Sequence, residues 1–214
     1  MASDHIYGIT LDNGSTITHG DGVNTKDAFT DIPVTINELQ PGSSNAKLAF
    51  SGQSGYIKFD TDIRLPRHVH ISTRQDGEPF LLHERIFVAN GAALVQLGGE
   101  IYVIPPDSLV TIAPGVPHTW TACPAGLEIP PRENDSISSS NEPFVSNGEF
   151  LMLYEYEEIT GFFPTAQTET LKTEKEYIRC DDLESIRIPK LSAAEVRERC
   201  WFVYNRNVQK LGRQ

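Results

Sequence analysis

The sequence predicts an all-β protein, an antiparallel sandwich or barrel, and three observations carry that prediction. Residues 55–63, GYIKFDTDI, alternate apolar and polar side chains with a period of two, as a half-buried strand does. Between His83 and Cys123, short β-rich pieces follow one another: RIFVA, ALVQL, IYVI, LVTI and HTWTA. Turn residues cut each from the next: Asn90-Gly91, Gly98-Gly99, Pro105-Pro106-Asp107 and Ala113-Pro114-Gly115. No segment between them is long enough for the crossover helix that parallel strands need.

The elements follow in order. Residues 1–45 are polar and turn-rich, and read as an N-terminal arm with short extended pieces such as HIYGITL. Residues 46–158 are expected to form the barrel. Within it, residues 124–149 are rich in Pro, Ser, Asn and Glu and read as a loop insertion, either plain or a lid over the site. FLMLYEYE, from Phe150, returns to a strand pattern. Residues 159–214 are expected to form a C-terminal helical extension packed on the barrel. Ser192 and Glu195 make a capping box, which predicts a helix starting near Ala193.

Composition narrows the function. The formal net charge is −11, so the chain repels nucleic acid and anionic membrane, and neither is an expected partner. Cys123, Cys180 and Cys200 are too few and too scattered for a disulfide framework. They read as free thiols of a reducing, cytoplasmic setting, with a single bridge as the alternative. MASDHIYG lacks the basic and apolar regions of a secretory signal, so the sequons at Asn13 and Asn134 read as coincidences. No apolar run reaches the length of a membrane span.

The chemistry begins at RLPRHVHIS, residues 64–72, where His68 and His70 are two apart. On a strand, such residues point to one face. Two further features follow: Glu84, six residues and Gly91, then DSLVTIAPGVPH ending at His118.

Together these residues resemble the cupin superfamily. Its first motif reads G-x5-H-x-H-x3–4-E-x6-G and its second G-x5-P-x-G-x2-H-x3-N. The resemblance covers about residues 50–123 and implies a cupin-type jelly-roll β-barrel. Carried over, it implies that His68, His70, Glu84 and His118 ligate one divalent transition metal. Fe, Mn, Ni, Cu or Zn suits imidazole plus carboxylate, with Fe or Zn favoured. The chain departs from the pattern in places. Thirteen residues, ISTRQDGEPFLLH, separate His70 from Glu84, so Glu78 is a rival ligand. Asp107, Ala113 and Ala122 replace the motif's Gly, Pro and Asn; none of these is a ligand.

The resemblance implies a metal-dependent enzyme acting on a small molecule. An oxidoreductase or dioxygenase comes first, with Glu84 as catalytic proton shuttle. The texture is also similar to single-domain metal cupins of fungal secondary metabolism, which favours an aromatic or polyketide-type substrate. The alternatives are a non-redox decarboxylase, isomerase, cyclase or dehydratase, and a metal-bearing small-molecule binding protein. By analogy, a homodimer is expected. Trp120 shares the face of His118 and is expected to wall the pocket or to be a core aromatic. Arg64 shares the parity of His68 and is expected either to reach a substrate oxygen or to be an exposed side chain. Tyr154, Tyr156, Phe162 and Phe163 are expected to cover a cavity mouth or to pack the tail on the barrel. His83 faces away from the ligands; His5 and His19 lie in polar, turn-rich sequence.

Overall fold

A computed structural model describes residues 8–19, 24–27, 35–38, 52–130, 142–204 and 207–212. His5, Asn134 and the middle of the 124–149 loop lie outside the described residues. Eight strands build the barrel: β1 (Ser54–Asp60), β2 (His68–Val69), β3 (Glu84–Gly91), β4 (Ala93–Leu97), β5 (Glu100–Ile104), β6 (Ser108–Ile112), β7 (His118–Ala122) and β8 (Glu149–Tyr156). They fall in two sheets, ordered β6-β3-β8-β1 and β2-β7-β4-β5. Within each sheet these eight pair only antiparallel. This strand order is that of a jelly roll, as the sequence predicts. Ile9–Thr10 and Thr16–His19 widen the first sheet beyond β6. Phe163–Pro164 widens the second beside β2, and Trp201–Val203 with Val208–Lys210 beyond β5.

Two cores follow from two patterns of burial. The inward residues of both sheets, among them Phe59, Ile86, Val88, Val95, Val110, Trp120, Phe150 and Met152, fill the barrel. Phe59 and Phe150 stack with ring centroids 4.7 Å apart. The second core lies outside the second sheet. There Leu94 and Val103 turn outwards and are covered by Leu127, Ile188, Val196, Cys200 and Phe202. That cover explains why β4 reads ALVQL, without the alternation of a half-exposed strand. Burying a side chain such as Phe202 contributes about 1.5–3 kcal/mol.

The helix starts where the capping box predicts, and spans Ala193–Arg199. The Ser192 hydroxyl accepts from the Glu195 amide at 3.3 Å, and the Glu195 carboxylate accepts from the Ser192 amide at 2.9 Å. Around this helix the extension is less helical than the sequence suggests. It runs mainly in extended segments, with one 3-10 turn at Glu174–Glu176. Pairing of Trp201–Val203 with β5 fastens it, as does Val196 in the second core. The described ends of the 124–149 loop pair as Glu128–Ile129 with Phe144–Val145. Leu127 and Ile129 belong to the second core, so these ends pack on the outer face of the second sheet. The three cysteines are free. Among the described residues, no helix is long and apolar enough to cross a membrane.

Candidate metal centre

The four residues expected to be ligands come together at one end of the barrel. His68 opens β2 directly across from His118, which opens β7. Glu84 opens β3, flanked by Ile112 of β6 and Tyr156 of β8. The thirteen residues after His70 leave and return as a hairpin, Ile71–Thr73 paired with Pro79–Leu81. Its return leg delivers Glu84 to the cluster. Glu78 sits exposed at the hairpin's turn.

The ring centroids of His68 lie 4.9 Å from His70 and 4.4 Å from His118. One nitrogen of each histidine lies within 4.8 Å of the others, so the triad could hold a metal ion. Glu84 Oε2 is 2.9 Å from His118 Nε2 and 3.3 Å from His70 Nε2. All four residues are no more than 3% exposed.

Backbone carbonyls set the tautomers. Nδ1 of His68 faces the Pro66 carbonyl at 2.7 Å, that of His70 the Gly161 carbonyl at 2.9 Å, and that of His118 the Val116 carbonyl at 2.9 Å. A carbonyl only accepts, so each Nδ1 carries a hydrogen, and each ring turns its Nε2 to the centre. Nε2 of His70 and of His118, and Glu84 Oε2, have no aligned hydrogen-bond partner despite full burial. Each buried, unsatisfied group costs about 1–3 kcal/mol. A cation among them removes that cost, and neutral imidazole with carboxylate is a donor set for Fe, Mn, Ni, Cu or Zn. The residues therefore fit a divalent metal, with second partners on the far nitrogens of the rings, as metal-bound histidines have.

The electrostatics agree. Burial, followed by the His118 and His70 rings, pushes His68 well below its ordinary value against the pull of Glu84, so it is a neutral base. Burial alone would raise the Glu84 carboxyl, but the His70 and His118 rings outweigh it and hold the group well below the usual carboxylate range. Beside it, burial and then the Glu84 charge push the Tyr156 phenol far above its ordinary value. Tyr156 also lies directly across from Glu84 in the pairing of β8 with β3.

Aromatic rings surround the cluster. Tyr156 lies 4.6 Å from His70, and Tyr154 lies 5.2 Å from Tyr156. Phe162 lies 4.6 Å from His68. Phe163 instead meets Tyr177 edge-on at 5.8 Å and packs the tail. Trp120 does share the inward face of His118, yet it lies in the barrel core, 6.3 Å from Phe150, and its indole N–H lacks a partner. Arg64, expected either to reach a substrate oxygen or to be exposed, donates to the Ile188 carbonyl at 3.0 Å and to Glu184 at 2.9 Å. Parity fails there because residues 63–67 are not a strand; Leu65 and Arg67 donate to the Trp120 and Ile186 carbonyls, and Pro66 bridges Arg187. His83 turns away as expected and pairs with Glu157 at 3.0 Å. His19 is half-buried opposite Ser108.

The jelly-roll strand order, with a histidine cluster at one end, agrees with the barrel that the sequence resemblance implies. No family model and no curated protein matches the chain. Among solved structures it is similar to a dTDP sugar isomerase from Desulfovibrio desulfuricans G20, at 11% identity, 83% of this chain, 90% of that chain and a TM-score of 0.43. It is also similar to the QdtA 3,4-ketoisomerase from Thermoanaerobacterium thermosaccharolyticum, at 17% identity, 70% of this chain, 83% of that chain and a TM-score of 0.36. A cupin 2 domain-containing protein from Halorhodospira halophila matches at 21% identity, 48% of this chain, 50% of that chain and a TM-score of 0.26. None of these three comes from a fungus. At such scores the likenesses carry no argument, and the jelly-roll fold rests on strand order.

Proposed function

We propose that the protein is a metal-dependent enzyme of the non-redox kind, an isomerase-type catalyst that moves a proton next to a carbonyl of a small molecule. The observation that carries this reading is the cross-strand pairing of Tyr156 with Glu84 beside three converging imidazole nitrogens. His68, His70, His118 and Glu84 would hold the metal. A bound metal polarises a carbonyl or enol oxygen and acidifies the adjacent C–H. The chain's residues then supply the proton handling. Glu84 is anionic and accepts, while Tyr156 keeps its proton at neutral pH and can return one. Substrate proton loss at one carbon and return at its neighbour balance without any electron acceptor.

The oxidoreductase reading rests on the same donor set, since neutral imidazoles with one carboxylate also suit Fe. Elemental analysis of the purified protein, followed by small ketones and phenols in deuterated water under nitrogen, separates the readings. Anaerobic C–H exchange that Tyr156→Phe slows at least tenfold supports proton transfer. Turnover that requires dioxygen overturns it in favour of the oxidoreductase. Metal bound, with neither reaction, leaves the metal-bearing binding protein.

A further inference from the structure

Outside the histidine cluster, the hairpin, the Pro114 turn and the tail enclose an open cleft of about 250 Å³. Arg74, Phe80 and Leu81 of the hairpin form one wall, and Pro114 with residues 171–174 forms the other. Backbone bonds fix both walls. The Arg74 amide donates to the Glu78 carbonyl at 2.9 Å and the Gly77 amide to the Arg74 carbonyl at 2.9 Å, which closes the hairpin's turn. The Leu171 amide donates to the Gly115 carbonyl at 2.9 Å, and the buried Leu171 side chain anchors the tail there. The Lys172 amide donates to the Glu176 carboxylate at 2.8 Å. None of His68, His70, Glu84, His118, Tyr156 and Phe162 lines the cleft, so it is separate from the metal centre.

The charges of this cleft lack protein partners. Elsewhere cations are engaged: Arg64 with Glu184, Arg85 with Glu155, Lys190 with Asp62, and Arg67 with Gln96. Arg74 and Lys172 make no ion pair among the described residues, although the chain has a net charge of −11. The Arg74 guanidinium instead lies over the Phe80 ring, 5.0 Å from its centroid. Stacking holds the guanidinium plane and leaves its N–H edge open, the arrangement that receives a carboxylate on two parallel hydrogen bonds. Glu174 adds one carboxylate to the lining, also without an ion pair among the described residues. The cleft therefore carries two cations and one anion over an apolar floor of Phe80, Leu81 and Leu171.

We propose that this cleft is a second binding site, for a small carboxylic acid that also carries hydroxyl or ammonium donors. The carboxylate meets Arg74 and Lys172, and the donors meet Glu174. Glu174 decides against a phosphate dianion, whose second charge it would repel. Size decides against a nucleotide, because about 250 Å³ lies below the roughly 300–1,000 Å³ of sites for drug-sized ligands. The site stands whether or not the histidine cluster holds a metal.

The test is saturation-transfer difference NMR on the full chain as purified, with millimolar D-glycerate and L-serine as probes. Both are expected to bind, and acetate, which lacks the donors, at least about tenfold more weakly. Arg74→Ala and Lys172→Ala, at two exposed positions, should each weaken glycerate and serine about tenfold or more. Glu174→Gln should weaken serine more than acetate; equal effects on the two overturn the donor half of the ligand. Unchanged affinity in Arg74→Ala, as binding at the histidine cluster would give, overturns the site. So does failure of both probes to bind. Inorganic phosphate binding more tightly than either probe overturns the ligand class.

Discussion

Replacing His118 with Ala should abolish metal-linked stability while leaving the fold standing. Ligand binding to the folded state alone stabilises it by RT ln(1 + [L]/Kd), about 2.7 kcal/mol at a hundredfold excess over Kd. For a chain of 214 residues, each kcal/mol moves Tm by about 2–4 °C. The wild type should therefore gain about 5–11 °C with the preferred metal at that excess. His118 supplies one of three converging nitrogens, lies 2.9 Å from Glu84 and pairs across the sheet with His68. Without it the donors are two nitrogens and a carboxylate, and the metal-induced gain should fall below about 2 °C. Meanwhile the substitution also removes a ring that helps hold the Glu84 carboxylate, so the metal-free variant should melt below the metal-free wild type. Scanning calorimetry with and without Zn, Fe(II), Co and Mn measures all four states. A wild-type Tm that none of these metals moves would refute the reasoning. So would a gain in His118→Ala equal to the wild type's, because the metal would then sit elsewhere.

Three further outcomes are expected. The metal-free protein should lose stability as pH falls. His68 binds fewer protons folded than unfolded below its ordinary value near 6.5, so stability is present above that pH and drains below it by up to about 1.4 kcal/mol per unit. Glu84, depressed in the fold, adds a loss of the same sign below about pH 4.5. Urea midpoints that do not change between pH 7.5 and 5.5 would contradict this. Gly115→Ala should cost about 2 kcal/mol or more, measured by urea denaturation, because Gly115 has φ 77° and a Cβ there would lie 2.2 Å from the Leu171 carbonyl oxygen. Phe202→Ala should cost about 3–5 kcal/mol, since its fully buried ring joins the extension to the second sheet. A loss under 1 kcal/mol would mean that the extension is not part of the cooperative fold.

Much of the fold and the cluster is legible in the sequence because both write themselves in short-range patterns. Strand alternation, Gly-rich turns and the capping box are local rules, and each element appears where its rule places it. His68, His70, Glu84 and His118 are legible because only the spacing of a barrel's strands brings such residues together. What is not legible depends on backbone or on distant chain. The carbonyls of Pro66, Gly161 and Val116 fix the histidine tautomers, yet carbonyls have no residue signature. Arg64 was expected to share the face of His68, but Pro66 breaks the strand before it and the tail segment at Glu184 captures its guanidinium. Tyr156 stands out only as one aromatic among four. Its cross-strand pairing with Glu84 is what singles it out, and register is a tertiary property.

The parallel pairing of Trp201–Val203 with Glu100–Ile104 has a kinetic consequence. Loop closure over a hundred residues of chain is slow, and such contacts form late. On a ribosome the barrel strands emerge first, with the apolar outer face of the second sheet still bare. Residues 186–203, which cover that face, arrive seconds later at translation rates of about 5–20 residues per second. The same late segment bonds Arg67 and Pro66 just ahead of His68. The nascent barrel therefore has an interval in which it is both prone to self-association and unable to finish its histidine cluster. Metal capture should follow tail docking, and chaperone dependence should fall on that interval.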